Sequence, residues 1–590
     1  MNILNQVTPH VSEAALGNIR QWLTEPKYRQ YREELERMIA NEEWKELENA
    51  FFKVIEFGTA GRRGITGPGS NRINRVTIGE SAQALCLYAQ SFDAQANEKG
   101  IVIACDTRLS SPELSQYTAL VCAANGFKTY IFDSFRSTPE LSFAVRHLGC
   151  SAGIVISASH NPPADNGFKA YWSDGAQIAS PHDRGVLDMA SKTTEIRALD
   201  NFEKAVAGGR ITIIGEDVDS AYLGALLKQS ENNERELSIV YSPLHGAGQT
   251  NTLRTLQLAN FSQILTVDEQ MTPDGNFPTI PNGKPNPEEP TANKMAVELL
   301  LKEQADIAIT NDPDADRIAV IVRQGGTAIQ LTGNQACVLA TDYSLHKLQQ
   351  KNQLTPNHYV VKTIVTTDML RSLANKYGVN IYDNLLIGFK YIGEIIRNKE
   401  NTNEVFVIGG EESYGMLKGT YARDKDGASA ALVLAEFAAE LKKEGKTLVD
   451  RLMELYRELG MYIETLDVAV YPGADGFATM QNIMSSLRAS PPASIGDEAV
   501  TAVIDYQALT RTLDDNRVEK VDCVAGNVLV FECGSPEKRI TIRPSGTEPK
   551  LKFYTQWKFE SSSPETDYAE AEQYLHQLFT SLSEEALKRV

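Results

Sequence analysis

The sequence lacks the features that mark secreted and membrane-spanning proteins. Its 590 residues include seven cysteines, an odd number with no C-x-x-C pair, which argues against a disulfide framework and for reduced thiols. The first residues show no basic stretch followed by an apolar core, so no signal peptide is predicted. No apolar run approaches the roughly 18 residues that a membrane helix needs. We therefore expect a cytoplasmic protein.

The chain also has fewer positively charged than negatively charged side chains. The chain has 58 Lys and Arg residues against 77 Asp and Glu residues, a formal net charge of −19. Nucleic acids and anionic membranes bind basic surfaces, so we expect neither as a partner. A small phosphorylated substrate is compatible with this charge, because a few local arginines and lysines can form a basic pocket in an acidic protein.

Short apolar segments alternate with helical ones over most of the chain. Residues 11–50 are rich in Glu, Arg, Lys, Leu and Trp and predict surface helices. Three blocks of strands follow, at 101–106, 128–133 and 153–157, then at 236–241 and 305–310, then at 358–365 and 404–408. This is the βαβ pattern of a mostly parallel sheet covered by helices.

The last part of the chain has a different pattern. Closely spaced strands and a final helix are predicted at 527–532, 539–542, 550–556 and 564–588, which indicates an α+β domain with an antiparallel sheet. The predicted fold is α/β, with three similar α/β domains of mixed, mostly parallel sheets and a C-terminal α+β domain around a central cleft. The predicted domains are 1–235, 236–333, 334–460 and 461–590.

The loop that ends the first block carries a candidate nucleophile. It reads SASHNPPADNGFK and contains Ser159, His160 and Lys169, at the strand end where open α/β sheets bind ligands. A serine hydroxyl is a poor nucleophile without help, and His160 and Lys169 are close enough in sequence to assist it or to neutralise phosphate charge. Taken by itself, a plain turn is the better interpretation, since Ser, Asn and Pro favour turns.

The loop that ends the second block carries a candidate metal site. It reads TNDPDADR, with Asp312, Asp314 and Asp316 at alternate positions. Alternate side chains of an extended segment point the same way, and three like charges repel unless a hard cation such as magnesium or calcium lies among them. An EF-hand would need Gly and Glu where Arg317 and Arg323 stand. The alternative is a solvated acidic loop, which the preceding apolar strand disfavours.

Three further loops are rich in glycine. GGEESYG contains Glu411 and Ser413, whose side chains suit hydrogen bonds to neighbouring sugar hydroxyls, unless the loop is a strand–turn with exposed acids. RPSGTEPK contains Arg543, and its guanidinium, hydroxyl and amide groups suit a phosphate clamp, unless it is a Ser-Gly hairpin turn. FGTAGRRG, with Arg63, predicts a phosphate or sugar loop or a flexible turn.

These motifs occur together and in a fixed order. The set FGTAGRRG, SASHNPPADNGFK, SPLHGAG, DPDADR, GFKYIG, GGEESYG and RPSGTEPK resembles the α-D-phosphohexomutase superfamily across residues 56–555. The most similar members are the longer phosphoglucomutase-, phosphomannomutase- and phosphopentomutase-like proteins, which have extra N-terminal helices and an FGTAG start.

The resemblance implies a role for each loop. The serine of the S-H-N-P loop is carried as phosphoserine, here Ser159, and binds Mg²⁺ together with the aspartates of D-x-D-x-D-R, here Asp312, Asp314 and Asp316. The catalytic residues implied are Ser159, His160, Lys169 and Arg63. The substrate-binding residues implied are Thr59, Arg317, Glu411, Ser413, Lys425, Arg543, Ser545, Gly546 and Thr547.

Two positions depart from the pattern that the resemblance implies. Tyr414 and Gly415 stand where some members have a histidine, which leaves the general base open. Arg62 replaces a usual apolar residue, either as an extra phosphate contact or as an exposed side chain.

The resemblance also implies the reaction. Glucose 1-phosphate and glucose 6-phosphate would interconvert through phosphoserine and glucose 1,6-bisphosphate, with Mg²⁺ neutralising the moving group. The GGEESYG loop resembles that of glucose-preferring members. Mannose and pentose phosphates are the alternative substrates, and a sugar phosphatase is a less favoured alternative.

Overall fold

The computed structural model describes residues 3–56, 61–193, 195–471, 475–546 and 549–589. The chain forms two compact units. The first unit contains Met1–Gln330, Ile396–Asn398 and Gly415–Glu436, and the second contains Leu331–Ile395, Lys399–Tyr414 and Phe437–Val590. All seven cysteines lie in the described ranges, and each is a free thiol. In these ranges, no helix has both the length and the apolar character that a membrane crossing requires.

The first unit begins with a small helical layer, as the sequence predicts. Its helices are α1 (Ile3–Val7), α2 (Glu13–Thr24), a 3₁₀ helix (Pro26–Tyr31), α3 (Arg32–Ala40) and α4 (Trp44–Phe51). The Ser12 side chain accepts the Ala15 amide and so caps α2. Trp22, Leu35 and Phe51 lie in the buried apolar core that joins these helices.

A six-stranded sheet follows in the order β1-β5-β4-β2-β3-β6. Its strands are β1 (Gly61–Ile65), β2 (Ile101–Cys105), β3 (Thr129–Phe132), β4 (Ala152–Ile156), β5 (Asp165–Trp172) and β6 (Ile211–Ile214). The helices between them are α5 (Arg75–Phe92), α6 (Ala96–Lys99), α7 (Ser111–Ala124), α8 (Thr138–His147), α9 (His182–Lys192) and α10 (Phe202–Ala207), and α11 (Glu216–Leu227) follows β6. The strands β4, β2, β3 and β6 run parallel, whereas β5 is antiparallel to both of its neighbours.

A second sheet of this unit has five strands in the order β11-β10-β9-β7-β8. Its strands are β7 (Ser238–Ser242), β8 (Gln263–Thr266), β9 (Ile307–Asn311), β10 (Ile318–Gln324) and β11 (Thr327–Gln330), with helices α12 (Thr252–Leu258), α13 (Asp268–Met271) and α14 (Lys294–Lys302). Every residue of β9 is buried, so the loop that follows it starts from inside the protein.

The second unit contains a parallel arrangement and a large antiparallel sheet. Its parallel strands are β12 (His358–Lys362), β13 (Asn380–Tyr382) and β14 (Val405–Gly410), with β12 in the middle. The helices α15 (Gly333–Gln350), α16 (Met369–Tyr377) and α19 (Leu448–Leu459) belong to this unit, as do most of α17 (Phe389–Lys399) and the end of α18 (Gly427–Lys443). The short strand β15 (Met416–Lys418) and the start of α18 belong to the first unit.

The C-terminal sheet has the order β16-β23-β22-β21-β18-β19-β20, with β17 paired to β18. Its elements are β16 (Met461–Val470), α20 (Gly476–Ala489), β17 (Ser494–Ile495), β18 (Glu498–Asp505), β19 (Thr510–Leu513), β20 (Val518–Lys520), β21 (Leu529–Cys533), β22 (Ser535–Pro544), β23 (Lys550–Phe559) and α21 (Pro564–Leu587). All of these neighbouring strands are antiparallel, which confirms the α+β character predicted for this region.

One predicted strand is too long. The apolar run 358–365 is a strand only as far as Lys362. Ile364 and Val365 are nevertheless buried, because the loop after β12 packs against Tyr506 and Val530 of the C-terminal domain. The apolar character of this loop comes from that packing and not from a continued strand.

Candidate active site

Ser159 lies in the loop that follows β4. The residue is 4 % exposed, and its backbone has a φ of +50°, in the left-handed region that residues with a side chain rarely adopt. Its amide donates to Ser157 Oγ at 2.8 Å, and its hydroxyl donates to Asp312 Oδ2 at 2.5 Å. An ordinary surface turn would need neither this backbone nor a buried carboxylate partner, so the loop holds the hydroxyl in a defined place.

The three aspartates of the DPDADR loop come directly after β9. Asp312, Asp314 and Asp316 are at most 1 % exposed, and one carboxylate oxygen of each lies within 4.8 Å of the others. The Oδ1 atoms of Asp314 and Asp316 are buried and accept no hydrogen bond from any residue that the structure describes. Burial raises the pKa of Asp312 well above its usual value, and the charges of Asp316 and Asp314 raise it further.

This donor set fits a divalent cation. Buried carboxylate oxygens with unused acceptor capacity are the ligands that Mg²⁺ and Ca²⁺ prefer, and a cation would relieve the repulsion among the three charges. The burial of the triad also shows that the alternative of a solvated acidic loop is wrong.

Two lysines pair with this triad. Lys169 Nζ donates to Asp314 Oδ2 at 2.5 Å and lies 3.6 Å from Asp316 Oδ2, while Lys425 Nζ lies 3.0 Å from Asp316 Oδ2. Burial disfavours the charged form of Lys169, but the carboxylates of Asp314 and Asp316 outweigh it, so the pKa of Lys169 lies above its usual value. Lys169 is therefore protonated, and it can neutralise phosphate charge or donate a proton.

His160 is neutral at this site. Its Nδ1 lies 3.3 Å from Ser159 Oγ. Burial lowers the pKa of His160 well below its usual value, and the positive charges of Arg317 and Arg63 lower it further. A neutral imidazole beside the hydroxyl can orient it or accept a proton, but it adds no positive charge.

Arg63 lies on the same sheet face as Lys169. In the antiparallel pair of β1 and β5, Gly61 is opposite Lys169 and Arg63 is opposite Gly167. Because side chains alternate along a strand, Arg63 and Lys169 share one face. The register of β1 and β5 thus places a second cationic side chain, that of Arg63, on the face of the sheet that carries Lys169.

Arg62 lies on the opposite face. It is 7 % exposed, and its Nη1 donates to the Thr77 carbonyl at 2.6 Å and to Glu80 Oε2 at 3.1 Å. Both interpretations of Arg62 from the sequence are wrong, because this arginine is neither exposed nor a phosphate contact. Its buried ion pair with Glu80 connects β1 to α5.

Arg317 directly follows Asp316 and contacts Asp312 at the start of the aspartate loop. Its amide donates to Asp312 Oδ1 at 3.1 Å, and its guanidinium donates to Glu288 Oε1 at 2.7 Å. Its side chain is 17 % exposed.

Thr138 and Gly246 hold the aspartate loop and are absent from the predicted site residues. Thr138, the first residue of α8, donates its hydroxyl to Asp314 Oδ2 at 2.7 Å and its amide to the Asp314 carbonyl at 2.9 Å. Gly246 lies so close to Pro313 that a Cβ there would be 2.3 Å from Pro313 Cα. The SPLHGAG motif contains Gly246, which is the one signal that could have pointed to this support.

The remaining predicted site residues that the structure describes belong to the second unit. Glu411 directly follows β14 and is buried, and Ser413 lies two residues further on. Arg543 lies near the end of β22, and the Ser545 amide donates to the Lys550 carbonyl at 2.9 Å, which closes a hairpin next to Gly546. Thr59 and Thr547 lie outside the described residues.

Three family models match consecutive parts of the chain. They are the α/β/α domains I, II and III of phosphoglucomutase/phosphomannomutase, matched at residues 54–197, 220–326 and 332–458. Together they cover the loops that carry Ser159, the three aspartates and Glu411.

Known proteins show the same similarity over almost the whole chain. A phosphoglucomutase of Staphylococcus aureus is 35 % identical over 523 residues, which are 87 % of this chain and 91 % of that protein. A phosphoglucomutase/phosphomannomutase family protein of Burkholderia thailandensis has a similar fold, with a TM-score of 0.64, 18 % identity and coverage of 90 % and 98 % of the two chains. The open form of parafusin, a phosphoglucomutase of Paramecium, gives a TM-score of 0.61 at 17 % identity, covering 89 % of this chain and 98 % of that one.

Proposed function

Since the chain belongs to the phosphoglucomutase/phosphomannomutase family of the α-D-phosphohexomutase superfamily, and is therefore a phosphohexomutase, we propose that it interconverts glucose 1-phosphate and glucose 6-phosphate. Phosphomannomutase or phosphopentomutase activity by the same chemistry is the alternative. The observation that carries the proposal is the buried Ser159 hydroxyl, which donates at 2.5 Å to one carboxylate of a three-aspartate cluster.

The proposed reaction moves one phosphoryl group in each of two steps. In the first, the free hydroxyl oxygen of the sugar phosphate bonds to the phosphorus of phosphoserine 159, the bond from that phosphorus to Ser159 Oγ breaks, and the sugar's proton ends on Ser159 Oγ. The product is glucose 1,6-bisphosphate. In the second step, the bisphosphate returns its other phosphoryl group to Ser159 by the reverse chemistry.

The charges of the first unit suit this transfer. A phosphoserine carries about −1.5 to −2 charges, beside three aspartates that already repel one another. We propose that Asp312, Asp314, Asp316 and the Ser159 phosphate hold Mg²⁺, which when bound neutralises charge on the transferred group. Lys169 then neutralises charge or donates a proton, while neutral His160 orients the serine oxygen. Arg63 adds a further cation on the face of Lys169.

We propose that the substrate is held by residues that the family resemblance identifies. The hydroxyl contacts are Glu411 and Ser413, and the phosphate and sugar contacts are Thr59, Arg317, Lys425, Arg543, Ser545, Gly546 and Thr547. The proposed domains are 1–235, 236–333, 334–460 and 461–590, and each of the four contains at least one of these loops.

The substrate assignment is tested with a panel of glucose, mannose and pentose 1-phosphates, each with Mg²⁺ and a trace of its bisphosphate. We expect the highest kcat/KM for glucose 1-phosphate, measured as glucose 6-phosphate in a coupled dehydrogenase assay. A higher value for mannose or pentose phosphate would replace glucose as the substrate. Stoichiometric release of inorganic phosphate without isomerised product would instead show a phosphatase.

Replacing Arg543 by alanine should raise KM for the sugar phosphate by about 10- to 100-fold, because charge-assisted hydrogen bonds to a phosphate contribute about 1.5–3 kcal/mol. The unfolding temperature should stay close to that of the wild type. Arg517→Ala is the matched control, since Arg517 is exposed and pairs with its neighbour Asp515. An unchanged KM in Arg543→Ala would show that the phosphate clamp is assigned to the wrong loop.

A further inference from the structure

We propose that Arg108 is a positioning residue, which fixes the backbone of the Ser159 loop and through it the direction of the serine oxygen. The proposal rests on the phosphoserine function given above. Arg108 lies in the loop between β2 and α7, outside every motif that the sequence analysis identified. The residue is 1 % exposed, and its Nη1 and Nη2 groups donate to backbone carbonyls, which leaves neither group for a substrate.

The guanidinium of Arg108 binds the carbonyl oxygens of the serine loop. Its Nη2 donates to the Ser159 and Asn161 carbonyls at 2.6 and 2.5 Å, and its Nη1 donates to the Pro162 and Asp165 carbonyls at 2.6 and 2.9 Å. Four carbonyls that converge on one point would repel each other without a cation among them. The arginine therefore determines the path of the loop from Ser159 to the start of β5.

The guanidinium is itself held in place from two directions. Its Nε lies 3.2 Å from Asp106 Oδ2, and Asp106 Oδ1 in turn accepts the Ser111 hydroxyl at 2.6 Å. Its central carbon lies 5.2 Å from the ring centroid of Phe277. A guanidinium that pairs with a carboxylate and lies against an aromatic ring presents its four Nη–H groups in a fixed plane.

This arrangement bears directly on Ser159. The Ser159 backbone has a φ of +50°, a conformation that persists only where surrounding contacts impose it. The Ser159 carbonyl is one of the four acceptors, so the arginine holds the very residue whose hydroxyl reaches Asp312. A lysine could not replace it, because a point charge with a flexible stem does not match a planar array of four acceptors.

The test compares Arg108→Ala and Arg108→Lys with the wild-type enzyme. We expect Arg108→Ala to lower kcat by about 100-fold, since a misplacement of about 1 Å can have that effect, and to leave KM for glucose 1-phosphate within about twofold. The formation of phosphoserine from glucose 1,6-bisphosphate, followed by intact mass, should slow by the same factor. Guanidinium ion at non-denaturing concentration should restore part of kcat in Arg108→Ala, whereas methylammonium should not.

Arg235 provides a matched control for a merely structural arginine. Its guanidinium also binds backbone carbonyls, those of Glu234 and Ala259, pairs with Glu436 at 2.9 Å and lies 4.9 Å from the Phe261 ring centroid. Arg235→Ala should lower the unfolding temperature without changing the kcat of the folded enzyme. Amide exchange in residues 157–169 should quicken in Arg108→Ala and not in Arg235→Ala.

The possible outcomes separate this proposal from the proposed function. The positioning role would be overturned if folded Arg108→Ala kept the kcat, the rate of phosphoserine formation and the amide exchange of the wild type. A loss of stability alone, as expected for Arg235→Ala, would also overturn it. If Arg108→Ala does not fold, Arg108→Lys decides, with a kcat about 10-fold below wild type expected and an unchanged kcat contradicting the proposal. If the wild-type enzyme shows no mutase turnover, the proposed function is wrong. Faster amide exchange of the Ser159 loop in Arg108→Ala would in that case still support the positioning role.

Discussion

Ser159→Ala should lose mutase turnover by at least about 10⁴-fold, because removing the nucleophile of a covalent mechanism leaves only what binding and charge neutralisation supply. The fold should be unchanged. The small alanine side chain removes the hydroxyl's contacts with Asp312 and His160 and leaves the backbone contacts of the loop in place. The measurement is the coupled assay, together with the intact mass after incubation with glucose 1,6-bisphosphate.

The mass measurement makes this prediction specific. Wild-type protein should gain one phosphoryl group, and Ser159→Ala should gain none. Ser91→Ala is a suitable control, because Ser91 is an exposed serine near the end of α5 that should affect neither readout. Near wild-type turnover in Ser159→Ala would rule out phosphoserine 159 as the carrier, and a phosphoryl group on another serine would identify the carrier instead.

Asp312→Asn should have opposite effects on activity and on stability. Turnover should fall by about 10²–10³-fold, as for the loss of one group that stabilises transferred charge. The metal-free protein should become more stable, because the substitution removes one of three buried like charges while keeping the size of the side chain. The pKa of Asp312, raised by burial and by its two neighbours, shows that its ionised form is disfavoured in the folded protein.

Thermal unfolding with and without Mg²⁺ measures the effect of Asp312→Asn on stability. Without metal, the unfolding temperature of Asp312→Asn should exceed that of the wild type by about 2–4 °C, which corresponds to about 1 kcal/mol in a domain of 150–250 residues. Mg²⁺ should stabilise the wild type by mass action and the variant much less. The exposed Asp200→Asn should behave like the wild type. A metal-free Asp312→Asn that is less stable than the wild type would mean that the triad is a structural polar network.

The sheets could be predicted from the sequence because their central strands are buried on both faces. The strands around 101–106, 153–157 and 305–310 are continuous apolar runs, and each observed strand begins and ends within two residues of the prediction. The strands β18, β19 and β20 could not be recognised in the same way, because they are partly exposed and carry mixed polar sequence. The limits at 235, 333 and 460 remain predictions.

The candidate site was predictable only where its chemistry lies in short motifs. Ser159 and the three aspartates stand in two compact runs of sequence, and the structure places the Ser159 hydroxyl in contact with Asp312, whose carboxylate lies within 4.8 Å of the other two. Thr138 touches Asp314 across 176 residues of chain, and Arg108 touches Ser159 across 51. Neither residue has a distinctive neighbourhood, since a threonine at a helix start and an arginine in a loop occur in most proteins. Their roles follow from tertiary packing, which a local pattern does not contain.

The three glycines that bring loops of the first unit together limit how this enzyme can be redesigned. A Cβ at Gly246 would meet Pro313, one at Gly275 would come within 2.7 Å of Arg108 Cα, and one at Gly427 would come within 2.9 Å of the Ala315 carbonyl oxygen. The loops therefore interlock at backbone distance, and none can be exchanged for that of a relative without its neighbours. A library that aims to change substrate preference should recombine these segments as one cassette. In a random mutagenesis screen, we expect substitutions of these glycines among the inactive variants, although the glycines take no part in the chemistry.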